Sequence, residues 1–426
     1  MTHAATFEAP AQPRITMGML RNGLVAMVFV SSFLSKFEPA PTDFFLILAV
    51  IAAITGGLRL APAIVPLFLF LLIYNLSGVI SYMQVPYDIY EGYVFLVGLA
   101  LTSSSAIFVA AYVADDPARR FILIRNAYWV GATIGGILGL ISYFKIPPLY
   151  AVFPDFAGRA VGGYKDPNVF STWLVPPVVF MLQGFVMGHI RVRLLSVVSF
   201  VIMFSALFLA FSRGAWVNAV MSSALTLGFT FVLSPSSGLR RRMGVASIIG
   251  VVLLAVMLIA MLSIPTTRDL FLDRFTLVKS YDAGETGRFG NQINSLPMLL
   301  DRPFGFGPYQ FVAIFNLAPH NTFLNSFSSC GWIGGITYIV LVVCNMFVGF
   351  RTMLIRTPFQ PYAIAAYSCL VYVTFQGVQI DTEHWRHMYW MMGLTWGFFA
   401  ASFAYVHRPP PDEQIAQAWA LAPRRK

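Results

Sequence analysis

Charge is scarce in this chain. Of its 426 residues only 11% are Asp, Glu, Lys or Arg, while 58% are hydrophobic. An ordinary soluble domain has about 25% charged and about 45–50% apolar residues. So few charges cannot cover that much apolar surface in water, which excludes the soluble and disordered classes. Cysteine is scarcer still. The three present, Cys330, Cys344 and Cys369, lie in apolar runs without metal-ligand spacing. That excludes a disulfide scaffold and leaves them as small core residues. No internal repeat or low-complexity segment stands out.

What fills the sequence instead is long apolar runs. A hydrocarbon layer about 30 Å thick needs about 20 apolar residues in a helix, because unpaired backbone groups cannot face lipid. Twelve runs are candidate spans: 16–34, 43–58, 61–80, 92–113, 121–144, 168–188, 194–211, 214–233, 244–263, 321–349, 361–380 and 388–406. The expected fold is therefore an all-α polytopic membrane protein of about twelve transmembrane helices. The second run is short and the first contains Arg21. No cleavable signal peptide is expected, since the first run lacks a small-residue cleavage site and is followed by Lys36. The chain divides into N-terminal transmembrane helices (1–150), a transmembrane core (151–406) and a cytoplasmic tail (407–426). The core includes one long loop, 264–319, expected to carry short helices along the membrane surface.

Orientation follows from Lys and Arg placement. With the N-terminus inside, the inner segments hold 17 basic residues and the outer ones 11, or 6 once the 264–319 loop is set aside. Acidic residues invert this, 5 inside and 13 outside. Both termini are thus expected in the cytoplasm, and the net charge of +10 reads as a topology signal with some attraction to anionic membrane lipids. It does not point to nucleic acid. Outer arginines then stand in a mildly acidic surface, as discrete placements.

Five outer segments hold the residues that can carry chemistry. Arg213, in Phe211-Ser212-Arg213-Gly214-Ala215-Trp216, lies between two apolar spans with no hydrophilic loop around it. Such a residue either snorkels to lipid phosphates or lines a cavity as an anion ligand. In the long loop, Gly287-Arg288 precedes Asp301-Arg302-Pro303-Phe304-Gly305-Phe306-Gly307-Pro308. The glycines allow tight turns and close backbone approach, but with no preceding strand they are not a nucleotide fingerprint. Arg302 has a local ion pair with Asp301 as its plain alternative, and Arg288 a solvated loop charge.

Pro319-His320-Asn321 stands directly before the tenth span. Histidine titrates near neutral pH, which makes His320 the best outer general acid or base; the plain alternative is an interfacial polar residue. Gly158-Arg159 and Lys165-Asp166-Pro167-Asn168 open the sixth span. They offer two cations in a Gly-rich loop, or simply a turn and a helix entry. The last outer loop, Asp381-Thr382-Glu383-His384-Trp385-Arg386-His387, packs five ionisable groups together, but no spacing there singles out a metal site. Arginines suit a diphosphate because the planar guanidinium donates paired, charge-assisted hydrogen bonds, worth most in a poorly hydrated site.

In this order the motifs resemble the bacterial O-antigen ligase and O-antigen polymerase superfamily. The resemblance rests on Ser212-Arg213-Gly214-Ala215, the 301–307 turn, and His320-Asn321 followed, after nine intervening residues, by Gly331-Trp332-Ile333-Gly334. It covers roughly residues 150–395. The resemblance implies a metal-independent, inverting glycosyltransferase of the bacterial inner membrane, without a cofactor and with its active site on the periplasmic side. The implied donor is a glycan on undecaprenyl diphosphate. The implied acceptor is a hydroxyl, on lipid A–core for a ligase or on another lipid-linked glycan for a polymerase building O-antigen or exopolysaccharide. It implies that Arg213 and Arg288 hold the diphosphate and that His320 serves the acceptor. Arg159, Lys165, Arg302, Asn321 and Arg386 are further substrate-binding candidates. The sequence departs from the ligase pattern where Gln292 follows Arg288 by four residues in place of leucine, which leans the reading toward polymerase. A lipid-linked-glycan flippase or secondary transporter is the alternative from another class, although such proteins usually show repeats and midplane charges.

Overall fold

The computed structural model describes residues 16–191, 193–234, 236–275, 284 and 287–407. The expected tail beyond 407, and part of the long loop, lie outside the described residues. The described chain is helical throughout, in the order α1 (Met17–Ser31), α2 (Pro41–Thr55), α3 (Val65–Tyr82), α4 (Ile89–Asp115), α5 (Pro117–Phe144), α6 (Pro167–Met187), α7 (Leu194–Leu209), α8 (Arg213–Leu233), α9 (Ser237–Leu262), α10 (Pro265–Phe275), α11 (Arg288–Leu300), α12 (Gln310–Phe315), α13 (Thr322–Leu354), α14 (Gln360–Gln376) and α15 (Arg386–His407). Each of the twelve apolar runs falls on a helix, α1 to α9 and α13 to α15, and the long loop carries the short helices α10, α11 and α12.

Among the described residues six helices are long and apolar enough to cross a membrane: α3 with its preceding turn, α4, α5, α6, α8 and α13. The apolar helices α1, α2 and α7 have 15, 15 and 16 residues. At 1.5 Å per residue they reach about 22–24 Å, short of a hydrocarbon layer of about 30 Å. Large apolar side chains face outward along whole helices, among them Phe44, Ile47, Ile51 and Ile54 on α2 and Ile248, Val251, Val256 and Ile259 on α9. Surface of that kind and extent is stable only against lipid or another apolar partner, and the chain is built as a multi-pass membrane protein.

The helices sort by burial. α6, α14 and α15 are enclosed over nearly their whole length. α15 packs chiefly on α4, α13 on α3, α1 on α2 and α8 on both α6 and α14. Large rings fill the centre: Trp390 packs at a tilt on Phe29 at 4.7 Å and meets Tyr128 edge-on at 5.6 Å, and the Tyr128 hydroxyl donates to the Trp173 carbonyl at 2.7 Å. This satisfies a hydroxyl that would otherwise be stranded in an apolar interior.

α13 is two helices joined at a break. Gly331 has φ 67° and ψ −171°, a conformation only glycine adopts easily. In an unbroken helix the Trp332 N–H would bond the Ser328 carbonyl, four residues back. Here it donates to Pro303 at 2.9 Å, while the Ser328 carbonyl accepts from Phe306 and Gly307 at 2.8 and 3.0 Å. The 301–307 turn thus supplies the bonds that the break removes. A Cβ on Gly305 would stand 2.4 Å from the Ser328 oxygen, and one on Gly331 2.6 Å from the Pro303 oxygen, so both glycines are required by backbone contact.

Candidate functional site

α14 ends at Gln376, and the turn from Gly377 to Trp385 leads into α15. The N-terminal end of α13 is stitched to this turn. Thr322 donates its backbone N–H to Gly377 at 2.7 Å and its hydroxyl to Ile380 at 3.0 Å, while Thr382 N–H donates to the Thr322 hydroxyl at 2.7 Å. Just upstream, the two oxygens of Asp381 accept the backbone N–H groups of His320 and Asn321 at 3.0 and 2.9 Å. Asn321 then caps α13, its side chain accepting from Leu324 at 3.1 Å. His320 sits in the left-handed region at φ 48°, costly for a residue with a Cβ and sustained only where surrounding bonds impose it. Its ring nitrogen Nδ1 lies 4.0 Å from Asp381 Oδ2, and the side chain is 34% exposed.

Arg288 is the first residue of α11. Its Nη2 donates to the His320 carbonyl at 3.2 Å and to the Gln379 carbonyl, so one guanidinium bridges the histidine strand and the turn after α14. One helical turn later, Gln292 donates to the Pro319 carbonyl at 2.7 Å. The position where the sequence departs from the ligase pattern therefore makes a hydrogen bond that leucine cannot make.

Arg213 opens α8 behind a sharp bend with Phe211 at φ 47°. The next residue, Gly214, lies so close to α14 that a Cβ would meet Gln376 Nε2 at 2.8 Å. Gln376 also bonds Asn218 at 3.2 Å and Thr172 at 3.1 Å, fastening α8 and α6 to α14. The same bend is held by Arg159, which is buried and donates to the Ala210 carbonyl at 2.7 Å and to Asn168 at 2.8 Å. The end of α14 and the turn after it thus receive the Arg288 side chain, the backbone of His320 and Asn321, and the start of α8 that bears Arg213, while Arg159 braces the bend before α8.

The other expected ligands are placed elsewhere. Lys165 pairs with Glu38 at 2.6 Å, both more than half exposed. Arg386 grips Asp43 on α2 with two hydrogen bonds, 2.8 and 2.6 Å. Arg302 lies over the Phe306 ring, 5.5 Å from its centroid, in the turn that braces α13.

Two carboxyls lie in the same turn. Glu383 is 1% exposed and accepts from Asn325, with His384 Nδ1 3.3 Å from its Oε1. Burial and the neighbouring Glu383 push the Asp381 carboxyl up to about 8, against the backbone N–H groups and Arg288, which favour its charged form. Sequence reasoning saw a dense ionisable cluster here but had no signal for which carboxylate would turn to a histidine 61 residues upstream. It missed Gln376 and Gln379 altogether. Among the described residues no three His, Cys, Asp or Glu side chains are grouped so as to hold a metal ion.

No curated protein matches this chain. A family model described as O-antigen ligase does match, over residues 198–339, and that stretch, which contains Arg213, Arg288, His320 and the Gly331 break, carries the pattern of the O-antigen ligase family.

Proposed function

We propose that this chain is an inverting glycosyltransferase of the bacterial inner membrane, moving a glycan from undecaprenyl diphosphate to a hydroxyl acceptor on the periplasmic face. All twelve apolar helices cross the membrane in this reading, with both termini in the cytoplasm. The observation that supports it is the turn after α14, which receives the Arg288 side chain and the His320 backbone together, with the start of α8, next to Arg213, packed on the end of the same helix. Guanidinium groups so placed meet a diphosphate with charge-assisted hydrogen bonds. A histidine beside them meets the incoming hydroxyl.

The reaction forms one glycosidic C–O bond and breaks one anomeric C–O bond. The acceptor oxygen attacks the anomeric carbon from the face opposite the diphosphate, and His320 takes or orients its proton. Undecaprenyl diphosphate leaves with the bonding electron pair, and Arg213 and Arg288 neutralise the charge that develops on it. Arg159 holds the bend from which Arg213 projects, and Asn321 fixes the start of α13 beside His320. The polyprenyl tail lies along the apolar helix faces. The Gln292 departure favours a polymerase, whose acceptor is another lipid-linked glycan, over a ligase acting on lipid A–core.

Proteoliposomes holding the full chain, given a labelled undecaprenyl-diphosphate glycan and each acceptor in turn, test this directly. A new glycosidic product, lost in Arg213→Ala and in His320→Ala with both variants still inserted, is the expected result. Translocation of the labelled lipid without any new bond would make the protein a flippase.

A further inference from the structure

A second polar site lies at the other end of the molecule. α5 has 28 residues, about 42 Å at 1.5 Å per residue. The segment bearing Arg159 follows its C-terminal end. At its N-terminal end, α1, α4 and α5 enclose a cavity of about 640 Å³. Its mouth is cationic, lined by Arg21, Arg119 and Arg120, and it continues along the helices past Val30, Leu123 and Val130. Val30 lies nine positions after Arg21 and Val130 eleven after Arg119, so the mainly apolar groove, which Asn22 and Asn126 also line, runs about 15 Å from the charged mouth.

The three arginines are not equivalent. Arg120 is buried and committed: it pairs with Asp115, donates to the Tyr112 carbonyl and lies 4.7 Å from the Tyr112 ring centroid. Arg21 covers the same ring at 5.5 Å, and its buried Nε has no hydrogen-bond partner among the described residues. Arg119 is exposed at the rim. Asp116 also lines the cavity, but its carboxylate caps α5 by accepting the Arg119 N–H at 3.3 Å. Among the described residues neither Arg21 nor Arg119 forms an ion pair. With Asp115 taken by Arg120 and Asp116 by the α5 cap, the mouth keeps a net positive charge that an added anion would relieve.

We propose that this cavity binds one anionic lipid of the opposite leaflet, its phosphate between Arg21 and Arg119 and one acyl chain in the groove beside Val30 and Val130. A basic mouth opening onto an apolar groove between membrane helices has the chemistry of a phospholipid headgroup site. A free phosphate shares only the first half of that chemistry.

The test uses the full chain, purified in detergent and stripped of lipid, and reads bound adducts by native mass spectrometry with the thermal-unfolding midpoint alongside. Phosphatidylglycerol is expected to add one tightly held lipid and to raise the midpoint by a few degrees. Arg21→Gln with Arg119→Gln is expected to weaken that adduct by about tenfold or more. Val130→Trp, which obstructs the groove without touching charge, is expected to weaken it as well. The proposal is overturned if the double variant and Val130→Trp both retain the adduct, or if inorganic phosphate stabilises as well as phosphatidylglycerol. Equal binding of phosphatidylcholine would overturn it too. None of these readouts involves glycan transfer, so the outcome is independent of the proposed enzymatic role.

Discussion

The Asp381 carboxyl accepts the backbone N–H of His320 at 3.0 Å, across 61 residues of sequence. The same side chain takes the next N–H, from Asn321, on its other oxygen at 2.9 Å. Asp381 therefore fixes the histidine strand through the main chain, and it holds His320 in a backbone conformation that the residue would not adopt alone. Replacing it with alanine leaves two backbone donors without acceptors, at about 1–3 kcal/mol each. We expect Asp381→Ala to reduce glycan transfer at least tenfold while the protein still inserts, and Asp381→Asn, which keeps one acceptor oxygen, to fall in between. Transfer rates of the two variants measured side by side check this order.

The raised Asp381 titration has a consequence for stability. The folded protein holds this proton up to about 8, whereas an aspartate in the unfolded chain titrates near about 3.9. Between those values the folded state binds more protons than the unfolded one, so this group's contribution to stability falls as pH rises through the window. Thermal-unfolding midpoints of the wild type and Asp381→Asn from pH 5 to 9 are expected to differ in slope, the wild type losing more from pH 5 up to about 8 and the two running parallel above it. Parallel slopes throughout would show that Asp381 does not titrate in this range.

Arg386 and Asp43 form a two-bond ion pair between the starts of α15 and α2, with Asp43 7% and Arg386 28% exposed. Removing one partner leaves the other charge largely buried, which costs about 3–5 kcal/mol. Arg386→Ala is expected to lower the unfolding midpoint well below that of Arg213→Ala. Replacing both partners with apolar residues of similar volume should recover much of the loss. An unchanged midpoint in Arg386→Ala would return this arginine to the list of substrate ligands.

Gly331→Ala places a Cβ 2.6 Å from the Pro303 carbonyl oxygen, at a backbone conformation with φ 67°. The expected cost is about 1–3 kcal/mol from the backbone conformation, with further strain from the clash. Because the 301–307 turn is bonded to this break, we also expect faster proteolysis within residues 300–310. Limited proteolysis of wild type and variant reads it.

Metal independence is a further expectation of the proposed chemistry. Transfer by the reconstituted protein should be unchanged by a chelator, and loss of transfer restored by added magnesium would contradict it.

Much was legible along the chain. Apolar run length alone located helices α1 to α9 and α13 to α15, because continuous apolar runs of about 20 residues fit a helix that satisfies its own backbone in lipid. An isolated cation in an apolar setting marked Arg213, because such a charge is costly unless it has a task; Arg288, in the long loop, was marked by the family resemblance. The Gly-x-Gly spacing also marked Gly305 and Gly307 as places where backbone can approach closely, whereas the break at Gly331 was not read from the sequence. Which cations act together was not legible. Arg159, Arg213, Arg288 and Arg386 look alike as residues, yet Arg386 is committed to Asp43 and Arg288 to the turn after α14. Helix packing alone decides such pairings, because it brings groups hundreds of residues apart within hydrogen-bond range, and the energy of a hydrogen bond depends on that distance and on burial, not on separation along the chain.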